Sequence, residues 1–188
     1  MVEMSDPGLN QKLGELFSSY HPEVLGYCAR RVGRGDAEDA AAEVFAIASR
    51  RAGEIDWSTA RPWLFGIARG VIANRWRSLR RWNKAAGLVN GMATLPQDGP
   101  DEVVIRYAED QEVLATLRAM TATDQEVLML AEWEELSSAE IAHALGISVA
   151  AADQRLHRAR DRFVKSFLRN VSRVPYLELP VREAPDGK

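Results

Sequence analysis

At 188 residues the chain can hold one medium domain or two small ones, and its 46% apolar content supports a buried core and excludes wholesale disorder. No apolar run approaches the roughly 18 residues of a membrane span. The start, Met1-Val2-Glu3-Met4-Ser5-Asp6, lacks the basic and apolar segments of a secretory signal. The single cysteine, Cys28, can form neither an internal disulfide nor a Cys-rich zinc site, and its apolar surroundings suit a buried thiol. These absences predict a cytoplasmic protein with no metal, cofactor or catalytic residue. The net charge of −3 hides a segregation. Trp57 to Gln97 holds no Asp or Glu but seven basic residues, Asp98 to Glu112 is acidic, and Arg155 to Arg169 is basic again. Local charge decides where a polyanion docks.

The chain reads as all-α. Leu9, Leu13, Leu16 and Phe17 recur at helical spacing. Pro22 is expected to open a second helix that Gly33 and Gly35 close, and Asp36 to cap a third running to about Arg51. A loop over 52–61 follows, then a long helix from Pro62. Two small helical domains are predicted, 9–82 and 111–170, joined by a flexible linker at 83–110 that is Gly/Pro-bearing and acidic in its second half. Within the second domain helices are expected at about 111–119, 124–133, 138–145 and 149–168. The Pro-containing tail, 171–188, is expected to be poorly ordered.

In the second domain, Thr123-Asp124-Gln125-Glu126 and Ser137-Ser138-Ala139-Glu140 both match a capping box. The second opens a short helix that stops at Gly146. Ile147 then turns inward and Ser148 caps the next helix, which is the helix-turn-helix layout with its second helix destined for a major groove. That helix carries an apolar stripe (Ala152, Leu156, Ala159, Phe163, Phe167) and, roughly 100° away, a basic one (Ala151, Arg155, Arg158, Arg162, Lys165). Ser148, Ala151, Gln154, Arg155, Arg158 and Arg162 are the candidate duplex contacts. An ordinary solvated charged face is the competing reading.

The helix from Pro62 also has two faces. Trp63, Leu64, Ile67, Ala68 and Val71 read as core. Arg69, Ala73, Trp76, Arg77 and Arg80 lie opposite, an aromatic set among arginines that suits phosphates and unstacked bases. The preceding loop adds Trp57 and Arg61; Asn74 and Arg81 complete the candidate set. Packing is an open alternative for Trp57 and Trp76. The 36–51 helix presents Glu38, Asp39 and Glu43 on an acidic outer surface that could dock a protein, although acids near a helix start are common for dipole reasons.

These segments resemble a known family. Asp36-Ala37-Glu38-Asp39-Ala40-Ala41-Ala42-Glu43-Val44-Phe45 is similar to the core-polymerase-binding segment of bacterial sigma factors. Pro62-Trp63-Leu64-Phe65-Gly66-Ile67-Ala68-Arg69 resembles their minus-ten-recognition helix, and Leu136 to Arg160 their minus-thirty-five-reading domain. Order and spacing resemble the extracytoplasmic-function group of the sigma-70 superfamily over roughly residues 9–170. The resemblance implies a dissociable, non-enzymatic subunit of RNA polymerase. Asp36, Glu38, Asp39, Glu43 and Phe45 would dock core polymerase, the 52–61 loop and following helix would capture a flipped base of the melted strand, and the carboxyl-terminal domain would bind upstream duplex and touch the polymerase flap. It also brings an anti-sigma protein into view as a partner. Gly70, Asn74 and Ala151-Ala152-Asp153 depart from the usual pattern, which puts the promoter sequence in doubt but leaves Asp153 about 160° from the centre of the basic stripe. The alternatives are a stand-alone helix-turn-helix regulator, which leaves 36–81 without a role, and a nucleic-acid enzyme, against which the three scattered histidines and the lack of a phosphate-binding glycine loop both speak.

Overall fold

The computed structural model describes residues 7–85 and 108–171. Among them are seven α-helices and no strand. The linker residues 86–107 and most of the tail read above lie outside the described residues.

The first helix, α1, spans Pro7–Val32 without interruption, so Pro22 lies inside it rather than opening a second helix. A helical proline removes one backbone hydrogen bond and usually bends the helix. Here Leu16 before it and Val24, Tyr27 and Cys28 after it are all buried, and packing on both sides of Pro22 holds the two segments together. Gly33 ends α1. Its φ of 81° is the left-handed geometry that glycine reaches without strain, and its N–H donates to the Ala29 carbonyl at 3.0 Å. The next helix, α2 (Arg34–Arg50), begins at once. Gly35 therefore lies inside α2 instead of closing α1. Asp36 stands in its first turn and is not the cap; no side chain caps this end, and Asp36 acts only through the helix dipole.

The α1–α2 contact is built on small residues. Ala37, Ala40, Ala41 and Ala48 are buried beside Val44, which lets the backbones approach closely. The 52–61 loop contains two short 3-10 turns, Ala52–Glu54 and Trp57–Thr59. Asp56 shapes the second, accepting from the Ser58 N–H at 3.0 Å and its hydroxyl at 2.7 Å. The long helix α3 (Ala60–Ala85) buries Leu64, Phe65, Ala68, Val71 and Ile72, while Trp63 packs half-buried against the core.

The second half comprises α4 (Ala108–Arg118), α5 (Ala122–Glu132), α6 (Ser138–Leu145) and α7 (Val149–Val171). Thr123 does not cap α5. Thr121 does, accepting the Asp124 N–H at 3.2 Å. Both acids of the expected box have other partners: Asp124 accepts from Arg162 at 2.7 Å, and Glu126 reaches into the first half. The Ser137 box forms as expected, with the Glu140 N–H donating to Ser137 Oγ at 3.3 Å and the Ser137 N–H to Glu140 Oε2 at 2.9 Å. Gly146 stops α6 in left-handed geometry (φ 65°), and Ser148 Oγ accepts the Ala151 N–H at 3.2 Å. Ala152, Leu156 and Ala159 of α7 are buried, with Phe163 and Phe167 half-buried and stacked at 6.0 Å.

The two halves also pack on each other, which no periodicity in the chain announces. Helix α3 crosses α6 at Gly66, where a Cβ would sit only 3.2 Å from the Ala144 carbonyl oxygen. Glycine inside a helix costs about 0.5–1 kcal/mol relative to alanine; this close crossing is its physical reason.

Candidate nucleic-acid interface

Helix α3 is amphipathic in the sense its sequence implies. With Leu64, Ala68, Val71 and Ile72 committed to the core, helical geometry sends Arg69, Ala73, Trp76, Arg77 and Arg80 to one other face. All five line a single cleft of about 390 Å³. Arg69, Arg77 and Arg80 are exposed, and no carboxylate lies within ion-pairing distance of them among the described residues. Trp76 is half-buried against the core while still lining the cleft, so packing and stacking are both open to it. Asn74 points elsewhere, into a second depression with Trp63, Gly70 and His143. Arg81 is exposed and donates to Ser78 Oγ at 2.9 Å.

The loop residues diverge. Trp57 is 36% exposed, with the Lys12 ammonium 5.5 Å from its ring centroid. Arg61 faces the junction of the two halves. It donates to Glu23 at 2.8 Å and to the Glu134 carbonyl at 2.6 Å, and pairs with Glu140 at 3.7 Å. In this conformation its donors are engaged by protein.

The opposite wall of the cleft comes from the second half: the start of α5 (Ala122, Thr123, Gln125) and Arg155 of α7. The other α7 candidates follow the helix surface. Ser148, Gln154 and Arg158 are exposed, Ala151 is half-buried, and Arg158 donates to Gln154 at 3.3 Å. Arg162 differs, since its guanidinium is committed to buried Asp124 at 2.7 Å. Its neighbour Arg160 likewise pairs with Glu132 at 2.8 Å.

On α2, Asp36, Glu38 and Asp39 are exposed. Glu43 accepts from Arg75 at 3.3 Å, and Phe45 joins an aromatic cluster with Phe17 at 4.9 Å and His21 at 5.8 Å. Phe17, 47% exposed, leaves that cluster open to a partner. Cys28 is buried among apolar neighbours, and that burial pushes its thiol up to about 11, far from reactivity.

Sequence reasoning missed one group of residues. Tyr27 donates to Glu126 at 2.9 Å, Arg31 donates to Glu126 at 3.1 Å and to Glu134 at 3.3 Å, and Arg30 also donates to Glu134. Arg31 and Glu134 are each 4% exposed. Burial pulls the Arg31 pKa down, but the surrounding Tyr27, Glu126 and Glu134 oxygens hold it above its ordinary value. Burial pushes the Glu134 carboxyl up, against the opposing pull of Arg30 and Arg31. The only sequence hint was Glu126, whose apparent place in a capping box concealed its real partners.

The arrangement offers two basic helix faces, one with an aromatic residue suited to unstacked bases and one at the start of a helix-turn-helix second helix. Residues 16–82 match the family described as sigma-70 region 2, and residues 110–163 the one described as sigma-70, region 4. The chain is 30% identical over 149 residues to the RNA polymerase sigma factor YlaC of Bacillus subtilis, covering 78% of this chain and 86% of that protein. It is 32% identical over 149 residues to the ECF RNA polymerase sigma factor SigL of Mycobacterium tuberculosis, covering 77% and 82%. The fold is similar to that of the sigma factor RpoE of Bartonella quintana, solved in complex with the anti-sigma factor NepR, with a TM-score of 0.63 at 16% identity over 87% of this chain and 98% of that one. With both regions present in order and more than four fifths of each of these two relatives covered, the chain belongs to the extracytoplasmic-function group of the sigma-70 family and is a sigma factor that directs RNA polymerase to promoters.

Proposed function

We propose that residues 9–82 dock core polymerase and read the minus-ten element, that residues 111–170 read the minus-thirty-five element, and that 83–110 tethers the two. In this reading Arg69, Trp76, Arg77 and Arg80, with Trp57, Arg61, Asn74 and Arg81 around them, receive the melted strand. Ser148, Ala151, Gln154, Arg155 and Arg158 meet the upstream duplex, while Arg162 contributes mainly as a tie to Asp124. The observation that carries it is the α3 face: three exposed arginines without carboxylate partners among the described residues flank a tryptophan, on the same helix whose other side is core. Exposed Glu38 and Asp39, beside the partly open Phe17–His21–Phe45 cluster, form the docking surface for core polymerase. The protein works in the cytoplasm, carries out no catalytic step of its own, and has an anti-sigma factor as its regulator. No helix among the described residues is long and apolar enough to cross a membrane.

Transcription in vitro with core polymerase over a promoter library tests this directly, with sequence-selective initiation dependent on the chain as the expected result. Tight, specific duplex binding by the chain alone, with no effect on core polymerase, would point to a stand-alone regulator instead. Glu38→Lys with Asp39→Lys should cut copurification with core polymerase at least tenfold; unchanged copurification removes α2 from the docking surface.

A further inference from the structure

We propose that residues 174–179, in the tail that follows α7, dock along an apolar groove on the second half, so that the chain itself covers this surface. The groove runs between α4, α5 and α7 and holds about 290 Å³. Val113 and Leu117 of α4, Leu128 of α5, Trp133 just past it, and Phe163 and Val164 of α7 line it. Its charged lining residues, Glu132 and Arg160, neutralise each other at 2.8 Å. Such a lining suits an apolar occupant rather than a phosphate or an ion. The surface around it is open and apolar: Val164 is 52% exposed, Leu168 59% and Trp133 39%. Exposed apolar side chains gathered in one place mark a surface that something covers.

Position and reach select the tail as that occupant. Helix α7 ends at Val171. One residue earlier, Asn170 donates to Thr116 Oγ1 of α4 at 3.2 Å, and Thr116 stands within a turn of the groove residues Val113 and Leu117. The tail therefore leaves α7 at one end of the groove, and the Arg160–Glu132 pair lies at the other. The stretch of α7 from Arg160 to Asn170 measures about 15 Å at ~1.5 Å per residue. With Ser172 and Arg173 used to reverse the chain, residues 174–179 extended at ~3.3 Å each reach about 20 Å, enough to run the length of the groove.

Composition agrees with reach. Val174, Tyr176, Leu177 and Leu179 supply apolar side chains, and Glu178 is the one charge among residues 174–179. Pro175 and Pro180 favour an extended course at Val174 and Leu179, and neither can continue α7. A segment already restricted by proline loses less freedom on docking. Tethered at the rim of the groove, it also acts at an effective concentration that is roughly millimolar. A second copy or a free partner must supply that concentration itself and displace the tail as well.

Photocrosslinking in the full chain tests the docking. Tyr176→Cys carries a benzophenone maleimide, which the buried Cys28 does not take up. Illumination should give crosslinks within one copy, onto the segments of α4, α5 and α7 that line the groove. Val164→Asp, at an exposed position, should lower their yield at least tenfold with helical content unchanged. Crosslinks that fall elsewhere on the chain, that join two copies, or that survive Val164→Asp undiminished overturn the proposal. Where Val164→Asp disturbs the fold, Leu177→Ser with Leu179→Ser changes no residue of α1–α7 and decides by chymotrypsin digestion. Cleavage after Tyr176 should be at least tenfold faster in this variant than in the wild-type chain. Equal rates eliminate the docking, and wild-type protection that grows with chain concentration assigns the groove to a second copy instead.

Discussion

Helices α3 and α7 both show a basic stripe beside an apolar one, yet their arginines have different fates. On α3 the stripe lies within a segment free of acids from Trp57 to Gln97, and Arg69, Arg77 and Arg80 meet no carboxylate from any other described helix. On α7 the arginines divide. Near the start, Arg155 and Arg158 are exposed with no acid partner among the described residues, while toward the end Arg160 and Arg162 are tied to Glu132 and Asp124 of α5. The difference teaches that helical spacing fixes which face a residue occupies, whereas the element packed alongside decides whether its charge is available. Of the four α7 arginines compared, two are left with exposed, unengaged charge and two brace α7 against α5.

The largest expected effect tests the α3 side of this contrast. Arg77→Ala with Arg80→Ala should weaken promoter complexes roughly tenfold to a hundredfold, and the salt dependence of binding should become shallower by about two charges. Thermal stability should stay within about 0.5 kcal/mol of wild type, because both side chains are exposed and neither is paired among the described residues. A loss of stability matching the loss of binding would make these arginines part of the fold and collapse the distinction.

The contrast also explains what could be read from residues alone. The helical class, the α6 capping box, the Gly146 stop and both basic faces are local patterns set by residues within a few positions of one another, and all are legible in the chain. The misreadings share a cause. Pro22 locally favours a helix start because its cost inside a helix is real, but Leu16, Val24 and Tyr27 pack on both sides of it and override that cost. Thr123 matches a cap locally because Glu126 stands three residues on, while Glu126 answers to Tyr27 and Arg31, 99 and 95 residues away. Long-range polar partners leave no periodic trace, and for that reason the contact between the halves and the commitments of Arg61 and Arg162 emerge only from the fold.

A smaller effect sharpens the α7 side. Arg162→Ala removes an ion pair whose arginine is 60% exposed and whose Asp124 partner is 9% exposed. Urea unfolding should show a loss of about 1 kcal/mol or less. Arg158→Ala should leave stability unchanged and lower upstream-element binding by about 1–3 kcal/mol, confined to one base position if it reads that base bidentately. Equal effects of the two substitutions on DNA binding would restore a single uninterrupted reading stripe.

An effect of similar size concerns how firmly the helix before α7 is held. Ser137→Ala should destabilise the chain by about 1 kcal/mol, since Ser137 Oγ accepts the Glu140 N–H and its own N–H is met by the Glu140 carboxylate. The same pair sets a pH dependence. The Ser137 N–H and hydroxyl, aided by Arg61, hold the Glu140 carboxyl below its ordinary value. A pKa depressed by folding contributes stability that is fully present above the unfolded value near 4.5 and is lost as pH falls through the folded one. The stability gap between wild type and Ser137→Ala should therefore be constant at neutral pH and narrow below about pH 4.5. The cap lies on the helix that Gly66 crosses, and Glu140 also pairs with Arg61. Part of that gap should vanish in an Arg61→Ala background. A gap independent of both pH and Arg61 would separate the cap from the junction and leave α6 stabilised by its backbone hydrogen bonds alone.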